Sequence, residues 1–187
     1  MEEYMKKIIT AVACAAMIAG LAGCGGGDDR NTAVQEIPRV SPDMLISAET
    51  ASAAAGNTLS LSDTGIVSEG NKLTAVYETD PVGAADGVTV SIEQFSDTLS
   101  TTEIWNEYEN TRILRSDNEK IEGIGADCYV AYPYIHIYDR GCHITISAGS
   151  GSDEGQKALL TNLGTAAAVA LEALIPADAV ESGNVIQ

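Results

Sequence analysis

The chain has 187 residues and carries 27 acidic against 10 basic side chains, for a formal net charge of −17. A surface of that sign repels nucleic-acid phosphates and anionic lipid headgroups, which argues against nucleic-acid binding and against adhesion to a membrane through a basic patch. No D-x-[DN]-x-[DN]-G loop is present to turn the acidity into a calcium site, so solubility is its simplest role.

Lys6 and Lys7 precede an uncharged, alanine-rich run from Ile8 to Gly20, the order of a charged and then an apolar region in a secretory signal. The run is too short for a permanent bilayer span, which needs about 20 apolar residues. Leu21-Ala22-Gly23-Cys24 follows and resembles the lipobox of bacterial lipoproteins, a branched apolar residue and two small ones before a cysteine that is acylated. The resemblance implies a signal peptide over 1–23, lipidation at Cys24, and a protein held on the extracytoplasmic face of a membrane within the cell envelope. Removing 1–23 deletes Glu2, Glu3, Lys6 and Lys7, whose charges cancel, so the acidity stays with the mature chain. Two or more acyl chains anchor a protein stably, so the mature chain requires no membrane-spanning helix.

Residues 24–42, rich in Gly, Asp, Asn and Thr, read as a flexible tether, and 43–175 as one globular domain. Ser47 before Ala48-Glu-Thr-Ala-Ser-Ala-Ala-Ala and then Gly56 predicts a short capped helix. Three alternating segments come next: Leu59 to Val67, the weakest; Lys72 to Thr79; and Gly87 to Phe95. From Thr101 the period changes, and Ile104, Trp105, Tyr108 and Ile113 predict an amphipathic helix ending near Ser116, with Trp105 as its core anchor. Strand patterns return over Asp127 to Tyr132, Tyr134 to Tyr138 and Cys142 to Ala148, with Asp139-Arg-Gly141 as a turn. Asp153 to Leu174 carries a stripe of Leu159, Leu160, Leu163, Ala167, Ala170, Leu171 and Leu174; it predicts the longest helix, which Pro176 closes. Residues 176–187 read as a disordered tail. The order α-β3-α-β3-α predicts an α+β domain, a mainly antiparallel sheet packed with helices.

Leu45-Ile-Ser-Ala-Glu49, Glu103-Ile-Trp105, the phrase Ile121-Glu-Gly-Ile-Gly-Ala126 leading into Cys128-Tyr129, and a final alanine-rich helix complete a pattern. It resembles uncharacterised bacterial lipoproteins with a Mog1/PsbP-like α-β-α sandwich, over about residues 43 to 175. The resemblance implies a fold and an envelope role, with no catalytic residues and no cofactor.

Of the four cysteines, Cys14 leaves with the signal and Cys24 takes the lipid, which leaves Cys128 and Cys142. An even pair outside the cytoplasm invites a disulfide. In a simple meander, however, a strand separates them by about twice the 4.8 Å strand spacing, and a bridge needs Cα atoms within about 7 Å. A disulfide with another strand order and two buried free thiols both remain open.

Aligning Ile135 and Ile137 with Ile146 and Ile144 puts the aliphatics on one face and leaves Tyr134, His136 and Tyr138 opposite Ser147, Thr145 and His143 on the other. His136 and His143 become diagonal neighbours on a tyrosine-rich face. That face is either a small polar binding patch, a two-histidine metal site short of its other ligands, or a surface packed beneath a helix. No Gly-x-Ser-x-Gly or triad spacing is present, and Gly123 and Gly125 precede a strand, so they make a turn and no dinucleotide fingerprint. The reading is a non-enzymatic, lipid-anchored binding or accessory domain that meets an envelope protein, or alternatively a small ligand or metal on the Tyr134, His136, Tyr138 and His143 face.

Overall fold

The computed structural model describes residues 37–79, 87–149, 151 and 154–177. The signal, Cys24 and tether residues 25–36 lie outside the described residues, as does the tail from 178 onward; residues 37–42, expected in the tether, instead pack on the domain, with Val40 buried and its N–H donated to Gln94 Oε1 at 2.8 Å. The domain is α+β: seven strands form one antiparallel sheet, with helices against it. In chain order the elements are α1 (Pro42–Leu45), α2 (Ala48–Ala55), β1 (Ser60–Glu69), β2 (Lys72–Glu78), β3 (Val88–Gln94), α3 (Thr101–Ile113), β4 (Glu119–Lys120), β5 (Asp127–Ala131), β6 (Tyr134–Asp139), β7 (Cys142–Ala148) and α4 (Glu154–Leu174). The sheet order is β1-β2-β3-β7-β6-β5-β4, so two meanders meet where β3 pairs with β7.

Local signals set the helix ends. Ser47 Oγ accepts the Thr50 N–H at 3.2 Å, and Gly56 closes α2 in the left-handed conformation at φ 72°. A reciprocal capping box starts α3: Glu103 N–H donates to Ser100 Oγ at 3.2 Å, and Ser100 N–H donates to Glu103 Oε2 at 2.8 Å. This helix stops at Ile113, short of the expected Ser116. The Asn118 amide donates to the carbonyls of Arg112 and Arg115, and Arg115 turns away to grip Asp117 and the Tyr132 carbonyl.

Alternation along the strands divides the interior in two. Val88, Val90, Ile92, Ile135, Ile137, Ile144 and Ile146 share one face of the sheet, where α4 covers β6 and β7 and buries Leu160, Leu163, Ala167 and Leu171, and α1 covers β2 and β3. Gly164 sets the approach of α4, since a Cβ there would lie 2.7 Å from Ile135 Cδ1. On the opposite face α3 buries Ile104 and Tyr108, and Tyr108 packs with Tyr129 and Ala131. Trp105 is half-buried against Tyr108 and Tyr138, so Ile104 and Tyr108 anchor the helix in the place expected of Trp105. Ile113 is 73% exposed and does not continue the apolar stripe.

Two short elements add to the expected order: α1, and β4 paired to β5 at the sheet edge. β1, the weakest sequence signal, forms at the opposite edge, where its side chains are mostly exposed. Arg140 and Gly141, at φ 48° and 70°, form the tight β6–β7 turn, in which glycine meets the positive φ without a steric cost.

Replacing Gly164 by Leu forces a branched side chain into the contact with Ile135. We expect a loss of about 1–3 kcal/mol, read as a lower Tm and an earlier urea midpoint with an unchanged far-ultraviolet spectrum.

Candidate functional site

The β6–β7 ladder pairs Tyr134 with Ser147, Ile135 with Ile146, His136 with Thr145, Ile137 with Ile144 and Tyr138 with His143, the alignment expected from the isoleucines. All four isoleucines go to the α4 face, and the histidines go to the α3 face. There a half-open cavity of about 450 Å³ lies between the C-terminal half of α3 and strands β2, β3, β7 and β6. Tyr134, His136 and His143 line it. Tyr138 does not: its ring packs on Trp105 and Tyr108, and its hydroxyl reaches the Thr101 carbonyl at 3.4 Å.

At the cavity floor His136 Nδ1 and His143 Nε2 are 3.1 Å apart. Thr145 Oγ1 lies 3.4 Å from the first and 3.3 Å from the second. Aromatic neighbours hold both rings. His136 stacks on Tyr129 at 4.6 Å between centroids and 12° between planes, and His143 meets Tyr108 edge-on at 5.4 Å. Both histidines are nearly enclosed, at 6% and 7% exposure. Burial withdraws the water that would solvate an imidazolium, and it lowers the pKa of His136 to about 3 and of His143 to about 4. His143, Arg115 and Lys72 add to the effect on His136, and Lys72 to that on His143. The pair is therefore neutral at pH 7.

Glu93 Oε2 faces the other side of His143, 3.9 Å from Nδ1. With a neutral imidazole this is no ion pair, and the distance exceeds hydrogen-bond reach. Burial, and then the Glu107 carboxylate, raise the Glu93 pKa, while Lys72 opposes them. Thr145, His143 and Glu93 thus stand in the order of a hydroxyl, a base and an orienting carboxylate. The order is unsuited to nucleophilic catalysis, because His136 Nδ1 contacts the His143 nitrogen more closely than the hydroxyl does and Glu93 is too distant to orient the ring.

Sequence reasoning missed Lys72, Ser91, Glu93, Glu107 and Arg115, which also line the cavity. They come from three further elements and the loop after α3: the pairing of β2 with β3 and of β3 with β7 brings Lys72, Ser91 and Glu93 to the histidines, with Lys72 opposite Glu93 and Glu93 opposite His143, while Glu107 and Arg115 arrive with α3 and the loop after it. The alternation of β3 was a usable signal, since Ser91 and Glu93 share the polar face opposite Val90 and Ile92.

The structure corrects the disulfide alternative. Cys128 and Cys142 are free thiols, buried on the α4 side of β5 and β7 with β6 between them. Burial, helped by Asp127 for the first and Asp139 for the second, pushes both thiols up to about 12. Among the described residues no group of three His, Cys, Asp or Glu side chains forms a metal centre, and no helix is long and apolar enough to cross a membrane. In comparisons with known proteins the chain matches no family model, no curated protein and no solved structure.

Two outcomes follow from these titrations. A thiol of pKa about 12 is thiolate in only about one molecule in ten thousand at pH 8. Iodoacetamide should therefore leave Cys128 and Cys142 unmodified in the native protein and label both in urea, as peptide mass mapping would report. The histidines take up protons more readily unfolded, near 6.5, than folded, near 3 and 4. Their neutral burial is thus fully compatible with folding above pH 6.5 and costs stability as the pH falls from there toward 4. The slope is at most about 1.4 kcal/mol per pH unit for each histidine, and it is partly offset by Glu93 and Asp139, whose raised pKa values act in the opposite sense. In EDTA, Tm should drop across this window for the wild type and much less for the His136→Gln/His143→Gln double variant.

Proposed function

We propose that this chain is a membrane-anchored extracytoplasmic lipoprotein whose single domain is a non-enzymatic binding or accessory module of the cell envelope. The observation that carries the reading is the ordered segment of lysine pair, apolar run and Leu21-Ala22-Gly23-Cys24 at the start of the chain. The net charge of −17 favours a lipid over a basic patch as the membrane attachment, and it disfavours nucleic acid as a partner. A seven-stranded antiparallel sheet with helices on both faces also agrees with the layers that a Mog1/PsbP-like resemblance implies.

A second reading concerns what the domain binds. The cavity that gathers Tyr134, His136 and His143 favours a small polar ligand entering beside the C-terminal half of α3. Neutral, nearly enclosed imidazoles beside a half-open space are donors and acceptors presented without competing water.

Cells grown with an alkyne-tagged fatty acid test the anchor. The wild-type chain should take up the tag and sediment with membranes, and Cys24→Ser should lose the tag and the signal cleavage together. Equal labelling of Cys24→Ser, or an unlabelled wild-type chain released from the cell, would overturn the lipoprotein reading.

A further inference from the structure

We propose that the cavity beneath α3 binds a neutral saccharide, holding one ligand hydroxyl between Glu93 Oε2 and His143 Nδ1 and a second on His136 Nε2. The proposal rests on the small-ligand reading above and names its ligand class. Glu93 Oε2 stands 3.9 Å from His143 Nδ1, too far for a direct hydrogen bond. Neither atom has a hydrogen-bond partner among the described residues, although His143 is nearly enclosed. An oxygen seated in this gap at about 2.8 Å from each atom bonds to both.

The histidine pair decides which chemical group fits the gap. His136 Nδ1 and His143 Nε2, 3.1 Å apart, share one proton between two neutral rings. The Glu93 carboxylate faces His143 Nδ1 and favours a proton there, so His143 Nε2 carries none and accepts from His136 Nδ1–H. The outer nitrogen of His136, Nε2, keeps a lone pair. The occupant of the gap must therefore donate to Glu93 and accept from His143 Nδ1–H. A hydroxyl does both, whereas an ammonium only donates and a carboxylate or phosphate only accepts. A second hydroxyl donates to His136 Nε2, so the ligand carries at least two.

The surroundings suit an uncharged ligand rich in hydroxyls. Glu93 and Glu107 in the cavity wall are balanced by Lys72 and Arg115, so the wall favours neither an anion nor a cation. Asp117 and the Tyr132 carbonyl hold Arg115 by Nε and Nη2, which leaves Nη1 without a partner among the described residues. The Tyr134 ring, 38% exposed, stands in the same wall and offers an aromatic surface to the C–H face of a sugar ring. The volume of about 450 Å³ falls within the range of about 300–1,000 Å³ usual for small-ligand pockets. Stacking on Tyr129 and the edge contact with Tyr108 hold both imidazoles in place before any ligand arrives.

The test uses the full chain in a sugar-free detergent, titrated calorimetrically with glucose, galactose, N-acetylglucosamine and trehalose, and with methylammonium and acetate as charged comparators. At least one saccharide is expected to saturate, and neither charged probe. Glu93→Gln should weaken that saccharide by about 10-fold, through loss of a charged acceptor. Single deoxy analogues repeat the test without touching the fold. One of them should lose about 10-fold on the wild type and almost nothing further on Glu93→Gln, since both changes remove the same hydrogen bond. Binding that survives conversion to the methyl glycoside marks a chain-end sugar, and binding lost with it a free one; both uphold the class. No saturating saccharide, or one that binds unchanged in Glu93→Gln and in every deoxy form, would overturn the assignment. Uptake of methylammonium or acetate instead would leave the cavity a ligand site of another class. No probe bound, with no organic mass retained by the untreated chain in native mass spectrometry, would overturn both readings.

Discussion

The register between β6 and β7 is the constraint on which the rest of the domain depends. Ile135 pairs with Ile146 and Ile137 with Ile144, and all four side chains are fully buried beneath α4. Burying each is worth about 1.5–3 kcal/mol, so a slip of one residue, which would turn all four toward α3, is strongly disfavoured. The same register leaves the other face no choice: His136, Thr145, Tyr138 and His143 must point toward α3. The tight Arg140-Gly141 turn holds the hairpin in this pairing. Gly164 lets α4 settle directly on Ile135 and Ile137, which gives the isoleucine face a matching surface.

The two interiors therefore differ in kind. The α4 side is a continuous apolar core into which even Cys128 and Cys142 are absorbed as small hydrophobes. The α3 side is smaller and aromatic, with Tyr108, Tyr129, Trp105 and Tyr138 packed together, and it ends where α3 stops at Ile113. Beside the C-terminal half of α3 and the loop that follows it the sheet face is covered incompletely, and the cavity occupies the space. The early stop is thus part of the site's construction. Asn118 and Arg115 complete the C-terminal turn and direct the chain away, leaving the histidines covered by aromatic rings but open on one side.

Much of this was legible in the residues. Period-two patterns located the strands, the stripe from Leu159 to Leu174 located α4, and the four isoleucines set the hairpin register and hence the histidine neighbourhood. The capping box of Ser100 and Glu103 was equally readable and would have fixed the start of α3. What could not be read was long-range. Glu93 reaches His143 only because β3 pairs with β7 across the sheet centre, a pairing that no local pattern encodes. Tyr138 shares a strand face with His136, yet it is drawn under Trp105, because α3 crosses the sheet at one place and not along the whole strand. Ile113 looked apolar by period, but the helix had already run past the edge of its contact surface.

The histidine cluster runs against the consistency of the surrounding fold. Burial and pattern agree across the isoleucine face, whereas here two imidazoles are enclosed with one proton between them and a hydroxyl at long range. A buried polar group that is only partly satisfied costs free energy, and apolar residues of similar shape on the same strands would pack beneath α3 without that cost. The isoleucines of the opposite face already provide the domain's register, so the histidines are not needed to specify it. A cluster that lowers stability and is redundant for topology is best explained by what it can hold. Local rules in proteins give way most often at functional sites, and on this face they give way also at the neighbouring Tyr129 hydroxyl, which is buried without a hydrogen-bond partner.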